Sequence, residues 1–372
     1  MDFTLTDEQT AFADLARTVL TRGSTPERLA EVDAGGTGVD SALWRELAQA
    51  GVVGVSLPES VGGGGASFVE TCLLLEQVGA TAALVPVWES VVLAALPIAR
   101  FGTAAQQQEL LPGVAAGDTV LTGAFIEALA EPQAPATTAT RDGDGWVLQG
   151  GKTGVPLAAI ASRILVSAST PGGPAVFVLD PNASGVRLEP QTATNGQPQA
   201  HLVLDRVTVG AGDVLGSVDE GGEVLDWILL HAKTGLAALT AGATGATLRM
   251  TAEYAKGRQQ FERPIATFQA VGHRLADAYA DAEAVRLTML QAAWRLVEGL
   301  PAADAVEVAK WWAAEGGHRV LRAAHHVHGG MGVSLEYPLH RYTKNLAVSE
   351  LALGGAQHQA RLIGARLAAE PV

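Results

Sequence analysis

An α+β chain in three parts is what the sequence predicts: an N-terminal helical domain over residues 1–118, a small middle β domain, sheet or barrel, over 119–222, and a C-terminal four-helix bundle over 223–372. Three observations carry that prediction. Apolar residues recur at helical spacing up to about Gly117, the period drops to two from Leu121, and the helical period returns after Gly221-Gly222. With 372 residues, 48% hydrophobic and 17% charged, the chain is long enough to bury a large core.

In the first part Leu43, Trp44 and Leu47 share a helix face, and Phe68 to Val78 is a strongly apolar second helix. Pro58-Glu59-Ser60-Val61 and the four glycines that follow read as a connector, because no strand precedes them and no Lys-Ser/Thr follows. Pro86, Pro97 and Pro112 divide the remaining helical segments. The middle part holds short strands at Trp146, Arg163, Ala175, Val186 and His201, set off by turns at Asp142-Gly143, Gly172-Gly173 and Asn195-Gly196. In the third part Phe268, Val271, Leu275, Ala278, Ala282, Val285, Met289, Ala293 and Leu296 form the stripe of a bundle helix. A third long helix is expected from about Asp304 to His326, with Trp311-Trp312 as packing residues, and a last one after Gly354-Gly355.

The net charge of −14 and the lack of any Lys/Arg run exclude a nucleic-acid or anionic-membrane surface. Cys72 is the only cysteine and sits in an apolar run, so it is expected to be buried and inert. His325, His326 and His328 have no carboxylate at a matching spacing, and no metal is expected. The start, Met-Asp-Phe-Thr-Leu-Thr-Asp-Glu, lacks the basic flank and apolar segment of a signal peptide, and Gly or polar residues interrupt the apolar stretches before they reach roughly 20 residues. A cytoplasmic protein without a membrane helix is the expectation.

The stretch from Tyr254 to Val271 joins two helices. Arg258 and Phe261 are three apart, so a persisting last turn puts them on one face, and Pro264 breaks the chain before the next helix. Arg258 there either meets the carbonyl end of the helix or recognises an anion.

Taken together, this layout, Arg258-Gln-Gln-Phe261-Glu-Arg-Pro-Ile-Ala-Thr-Phe-Gln269 and His328-Gly329-Gly330-Met331-Gly332 resemble the acyl-CoA dehydrogenase family. Leu43-Trp44, Pro58-Glu59, Phe101-Gly102-Thr103 with Gln106, and Leu111-Pro112 with Gly117 fall in the matching order in its N-terminal helices. The resemblance implies FAD at a subunit interface. It implies that Arg258, Phe261 and Gln269 meet the pyrophosphate and neighbouring groups of a partner's FAD, and that His326, Gly329 and Gly330 meet the adenosine end. His326 stands where the family usually has Gln.

The departures are as informative. The family's glutamate base near the C-terminus aligns with Gly354, and its alternative place on the first bundle helix aligns with Ala232, between His231 and Lys233. Neither carries a carboxylate, and α-proton removal needs one within reach. The loop over flavin and thioester is shortened to Ala130-Glu131-Pro132-Gln133, and Gly154-Val155-Pro156 replaces the residues that bind the flavin ring. The chain is therefore similar to the subunit lacking the base in actinobacterial α2β2 dehydrogenases of steroid side-chain acyl-CoA thioesters. The implied partners are a homologous Glu-bearing subunit, an acyl-CoA substrate and an electron-transfer flavoprotein as acceptor. The rivals are a self-sufficient dehydrogenase that uses Glu350, His231 or Glu131 as base, and a silent acyl-CoA- or flavin-binding scaffold.

Overall fold

A computed structural model describes residues 3–369; Met1 and Asp2 of the acidic N-terminal stretch lie outside the described residues. The chain divides into two compact units, one built from the segment ending at Leu29, Phe68–Ala83 and the chain from Lys233 onward, the other from Ala30–Ser67 and Leu84–Ala232.

The second of these units begins within α2 (Pro26–Gly35) and continues with α3 (Ser41–Gln49). Asp40 caps α3 by accepting from the N–H groups of Ala42 and Leu43, both at 3.1 Å. After a π-helical segment at Val87–Ala95 come α5 (Leu96–Phe101) and α6 (Ala104–Ala115). A Thr103–Gln106 capping box opens α6, and the Gln106 amide also donates to the carbonyls of Gly212 and Val214. Seven strands follow: β1 (Leu121–Ala124), β2 (Thr138–Asp142), β3 (Gly145–Pro156), β4 (Arg163–Thr170), β5 (Gly173–Leu179), β6 (Val186–Thr192) and β7 (Pro198–Val209). Their order is β1-β4-β2-β3-β7-β6, with β5 also on β4. Alternate residues Leu148, Ile164, Val166, Phe177, Leu202 and Leu204 fill the core, with Trp146 edge-on to Phe177 at 6.0 Å. The register of β3 on β7 shifts between Lys152 and Val155, a bulge that turns Val155 into the core.

The other unit holds α1 (Asp7–Gly23) and α4 (Phe68–Thr81), most of α7 (Gly221–Gly257), then α8 (Gln269–Val297), α9 (Ala303–His328), α10 (Leu339–Leu351) and α11 (Ala356–Ala369). The expected apolar stripe of α8 is inward at Ala278, Ala282, Val285, Met289 and Ala293. Helices α4 and α7 touch backbone to backbone: a β-carbon on Gly242 would overlap the Glu76 carbonyl, and one on Gly79 the Leu239 carbonyl. Arg319 of α9 grips Asp281 of α8 through two bonds of 2.6 and 2.9 Å. By length and composition α7 could cross a membrane, yet 78% of its most apolar window is buried inside the protein, which makes it a core helix. The sequence reading expected neither β2 nor β1 as a separate strand, and it differs from the structure in the helices as well. Helix α9 runs on to His328, and α10 is an additional helix whose polar outer residues hid its period.

Candidate functional site

Arg258 and Phe261 do not share a helix face. Helix α7 stops at Gly257 and the chain turns into a two-residue hairpin, β8 (Gln259–Gln260) against β9 (Arg263–Pro264). Phe261 and Glu262 form its tip with φ of 52° and 63°, the left-handed pair that matches a hairpin's twist and costs non-glycine residues about 1–2 kcal/mol each. The Arg258 N–H donates to Tyr254 O and its carbonyl accepts from Ile265 N–H, both at 2.8 Å, so the base of the hairpin is tied on both sides. Phe261 is 87% exposed. The Arg263 guanidinium lies over the Phe268 ring at 4.3 Å, whereas among the described residues no hydrogen bond or ion pair engages that of Arg258. Gln269 opens α8 beside His273, exposed and 3.3 Å from its ring nitrogen.

The second segment is the turn after α9. His326, Gly329 and Gly330 are exposed, and a β-carbon on either glycine would meet nothing within 4 Å, so packing inside the chain does not call for them. Gly329 does need its freedom, at φ 57°. The three histidines diverge. His325 Nε2 pairs with Thr343 Oγ1 at 2.8 Å, His328 is buried against Tyr337, and among the described residues no group of three or more His, Cys, Asp or Glu is placed to hold a metal.

At the aligned base positions the chain offers nothing that takes a proton. Gly354 has φ 95°, and a β-carbon there would overlap the His358 ring and stand 2.9 Å from Gln359 Nε2. Gln359 is fully buried and donates to the carbonyls of Leu353 and Gly354, both at 2.9 Å, which fixes that closed loop. Ala232 is fully buried, and its carbonyl accepts from Trp88 Nε1 at 2.9 Å. The three alternative bases fare differently. His231 is stacked on Trp227 at 3.6 Å and its Nδ1–H donates to the Trp227 carbonyl; burial brings its pKa down to about 4, the backbone bond opposing. Glu350 pairs with His318 at 3.2 Å, and Glu131 is exposed.

Sequence reading missed Glu127 in the shortened loop. Fully buried Lys152 donates to Glu127 Oε1 at 2.6 Å and Ser167 Oγ at 3.0 Å, and the carboxylate accepts from the N–H groups of Ala136 and Thr137. Both ends of the loop are thus tied to one ion pair. Burial pulls Lys152 down to about 8, with Glu127 opposing. Burial alone raises the Glu127 carboxyl, but the Lys152 bond and charge together with Thr137 leave it below the usual carboxylate range. The only available signal was a lysine inside the strand Gly151-Lys152-Thr153. Beyond it, the Thr153 N–H donates to Ile126 O and the Gly154 N–H to Gln191 Oε1, so these amides are satisfied within the chain.

A second buried cluster was equally invisible in sequence. Lys233 and Arg366 both donate to Glu307 Oε1, at 2.8 and 2.9 Å, and Lys310 donates to the carbonyls of Ser349 and Glu350 in the last turn of α10. Burial, then the Lys233 charge, lowers Lys310 to about 7.

Residues 6–118, 127–207 and 219–368 match the N-terminal, middle and C-terminal domains of acyl-CoA dehydrogenase. The chain is 39% identical over 379 residues to acyl-CoA dehydrogenase FadE27 of Mycobacterium tuberculosis, covering 100% of both chains, and 34% identical to FadE28 of the same organism, covering 98% of this chain and 99% of that one. Among solved structures it resembles a chain of the ChsE4-ChsE5 complex from Mycobacterium tuberculosis, with a TM-score of 0.95, 40% identity and 100% of each chain covered. It resembles a chain in a variant of the Tcur3481-Tcur3483 steroid ACAD at a TM-score of 0.92 and 42% identity, covering 99% of this chain and 100% of that chain. The chain belongs to the acyl-CoA dehydrogenase family, whose members are FAD-dependent oxidoreductases.

Proposed function

We propose that this chain is the subunit without a catalytic base in a heteromeric FAD-dependent acyl-CoA dehydrogenase, cytoplasmic and organised in domains of residues 1–118, 119–222 and 223–372. The observation that carries the reading is Gly354: at φ 95°, a side chain there would displace the His358 ring and Gln359, and Ala232 is fully buried. The homologous partner supplies the glutamate and the flavin-ring pocket. Two relatives named as assemblies, the ChsE4-ChsE5 complex and the Tcur3481-Tcur3483 steroid ACAD, support an α2β2 pairing and a bulky, steroid-like acyl-CoA substrate. This chain is also 28% identical to a chain of the electron transferring flavoprotein of Acidaminococcus fermentans, in keeping with transfer of the electrons to a flavoprotein acceptor.

The residues present fit the diphosphate end of FAD. Arg258 is an exposed guanidinium with no ion pair among the described residues, and Gly329 and Gly330 leave open space where backbone can approach a ligand closely. Arg258 would hold the diphosphate, Phe261 and Gln269 its surroundings, and His326 with the two glycines the adenosine end. When bound, FAD supplies the hydride acceptor for α,β-dehydrogenation of the thioester. This chain's part is to bind and orient. By contrast its own ring-side backbone is engaged, with the Gly154 N–H held by Gln191 and Val155 turned into the core.

The test is purification of the chain with and without the Glu-bearing homologue, reading flavin per chain and turnover of a steroid-like acyl-CoA. Activity and flavin that appear only in the pair support the reading. Turnover by the chain alone contradicts it, and an inactive, flavin-free pair leaves the chain a scaffold.

A further inference from the structure

The two segments assigned to FAD are 74 residues apart between Tyr254 and His328, yet the structure joins them at one point. The Tyr254 and His328 rings are stacked, 27° from parallel with centroids 4.3 Å apart. Tyr254 sits in the last turn of α7, and its carbonyl accepts the Arg258 N–H. His328 closes α9 and is bonded directly to Gly329. The stack therefore connects the residue that anchors the hairpin with the residue that precedes the Gly-Gly turn.

Both His328 ring nitrogens are committed. Nδ1 lies 2.9 Å from the Ala324 carbonyl, which only accepts, so Nδ1 carries the proton and Nε2 accepts from the Tyr337 hydroxyl at 3.0 Å. Tyr254 in turn reaches the His328 carbonyl at 3.5 Å, and the Tyr337 ring lies edge-on to Tyr254 at 6.1 Å. Two side-chain bonds and two ring neighbours fix the His328 plane, and that plane fixes Tyr254. Arg258 through Arg263 are all exposed, so beyond the Arg258 backbone bonds and the contacts of Phe261 and Arg263 with Phe268 the hairpin depends on what lies beneath its base.

We propose that His328 is a positioning residue: with Tyr254 and Tyr337 it holds the Arg258 hairpin and the Gly329-Gly330 turn in register, so that the guanidinium meets the diphosphate while the turn meets the adenosine end of the same FAD. This rests on the diphosphate role given to Arg258 above. A structural role alone would stabilise the helix ends without coupling the hairpin to the turn.

Hydrogen exchange on the full chain, without flavin, reads the coupling directly. His328→Ala should raise exchange at the Ile265 N–H and the hairpin amides about tenfold while the middle of α8 stays protected, since losing the stack and its bonds removes on the order of one decade of local stability. His328→Phe, which keeps a stacked ring, should recover most of that protection. In the complex with the Glu-bearing subunit, stripped of flavin and titrated with FAD, His328→Ala should raise the Kd about tenfold. Arg258→Ala should then add less in the His328→Ala background than in the native one. If His328→Ala unfolds the chain, Tyr337→Phe carries the test, with a shift of roughly threefold in the same direction for one lost hydrogen bond. Unchanged hairpin exchange and unchanged Kd in a folded variant, with Arg258→Ala still weakening FAD, would overturn the inference and leave the diphosphate role standing. No effect of Arg258→Ala on the Kd would overturn that role itself.

Discussion

A β-carbon on Gly354 would run into the ring of His358, four residues on, and the backbone there sits at φ 95°. Position 354 is thus closed by its own neighbours. A carboxylate at this point requires the His358 ring to move.

Gly354→Glu is accordingly expected to give no partner-independent dehydrogenase and to destabilise the chain by about 1–3 kcal/mol, from overpacking and a left-handed non-glycine residue. Urea unfolding and turnover of the variant alone check this. A stable, active homomer would show that only the base had been lost.

Arg258→Ala should cut the flavin affinity of the complex roughly tenfold to hundredfold, because a charge-assisted bond to a phosphate contributes about 1.5–3 kcal/mol. Arg258→Lys should recover part of it, since an ammonium lacks the bidentate fork. Titration of the stripped complex with FAD measures both.

Lys152 and Glu127 form a buried pair that ties both ends of the shortened loop. Lys152→Met leaves Glu127 without its cation and should cost about 3–5 kcal/mol, whereas Lys152→Met with Glu127→Gln should cost clearly less. Urea midpoints give the stabilities, and proteolysis between Ala128 and Ala134 reports the loop. Equal losses in single and double variants would show that the pair is not what holds it.

His231 gives a pH dependence with a definite sign. Its pKa falls from 6.5 to about 4 on folding, through burial. Between those values the unfolded chain binds the extra proton, so stability is complete above pH 6.5 and is lost as pH drops toward 4, by about 3 kcal/mol. His231→Phe should flatten that part of the stability curve. Unfolding free energies of both proteins from pH 7 to pH 4 test it, the difference between them isolating His231 from the carboxylates.

The helical and two-residue periods made the order of helices and strands legible, because buried faces impose them directly, as at Ala278 to Ala293 and Ile164 to Val166. The hairpin at Phe261-Glu262 was not legible. Its turn places two ordinary residues at positive φ with neither Asn nor Gly to mark it, so it read as a continuing helix. The charged clusters at Lys152 and Lys310 were hidden for a different reason: a lone lysine among apolar residues looks like a surface residue until the fold shows its partner. A glycine at position 354 was legible, and its closure by His358 was not, since that depends on a loop geometry no spacing encodes.

The most direct measurement is the flavin content of this chain purified alone, set against the same chain purified with a Glu-bearing homologue. Little flavin alone, and a yellow, active pair, is the predicted result. A chain that purifies alone with close to one FAD per polypeptide and turns over acyl-CoA would contradict it.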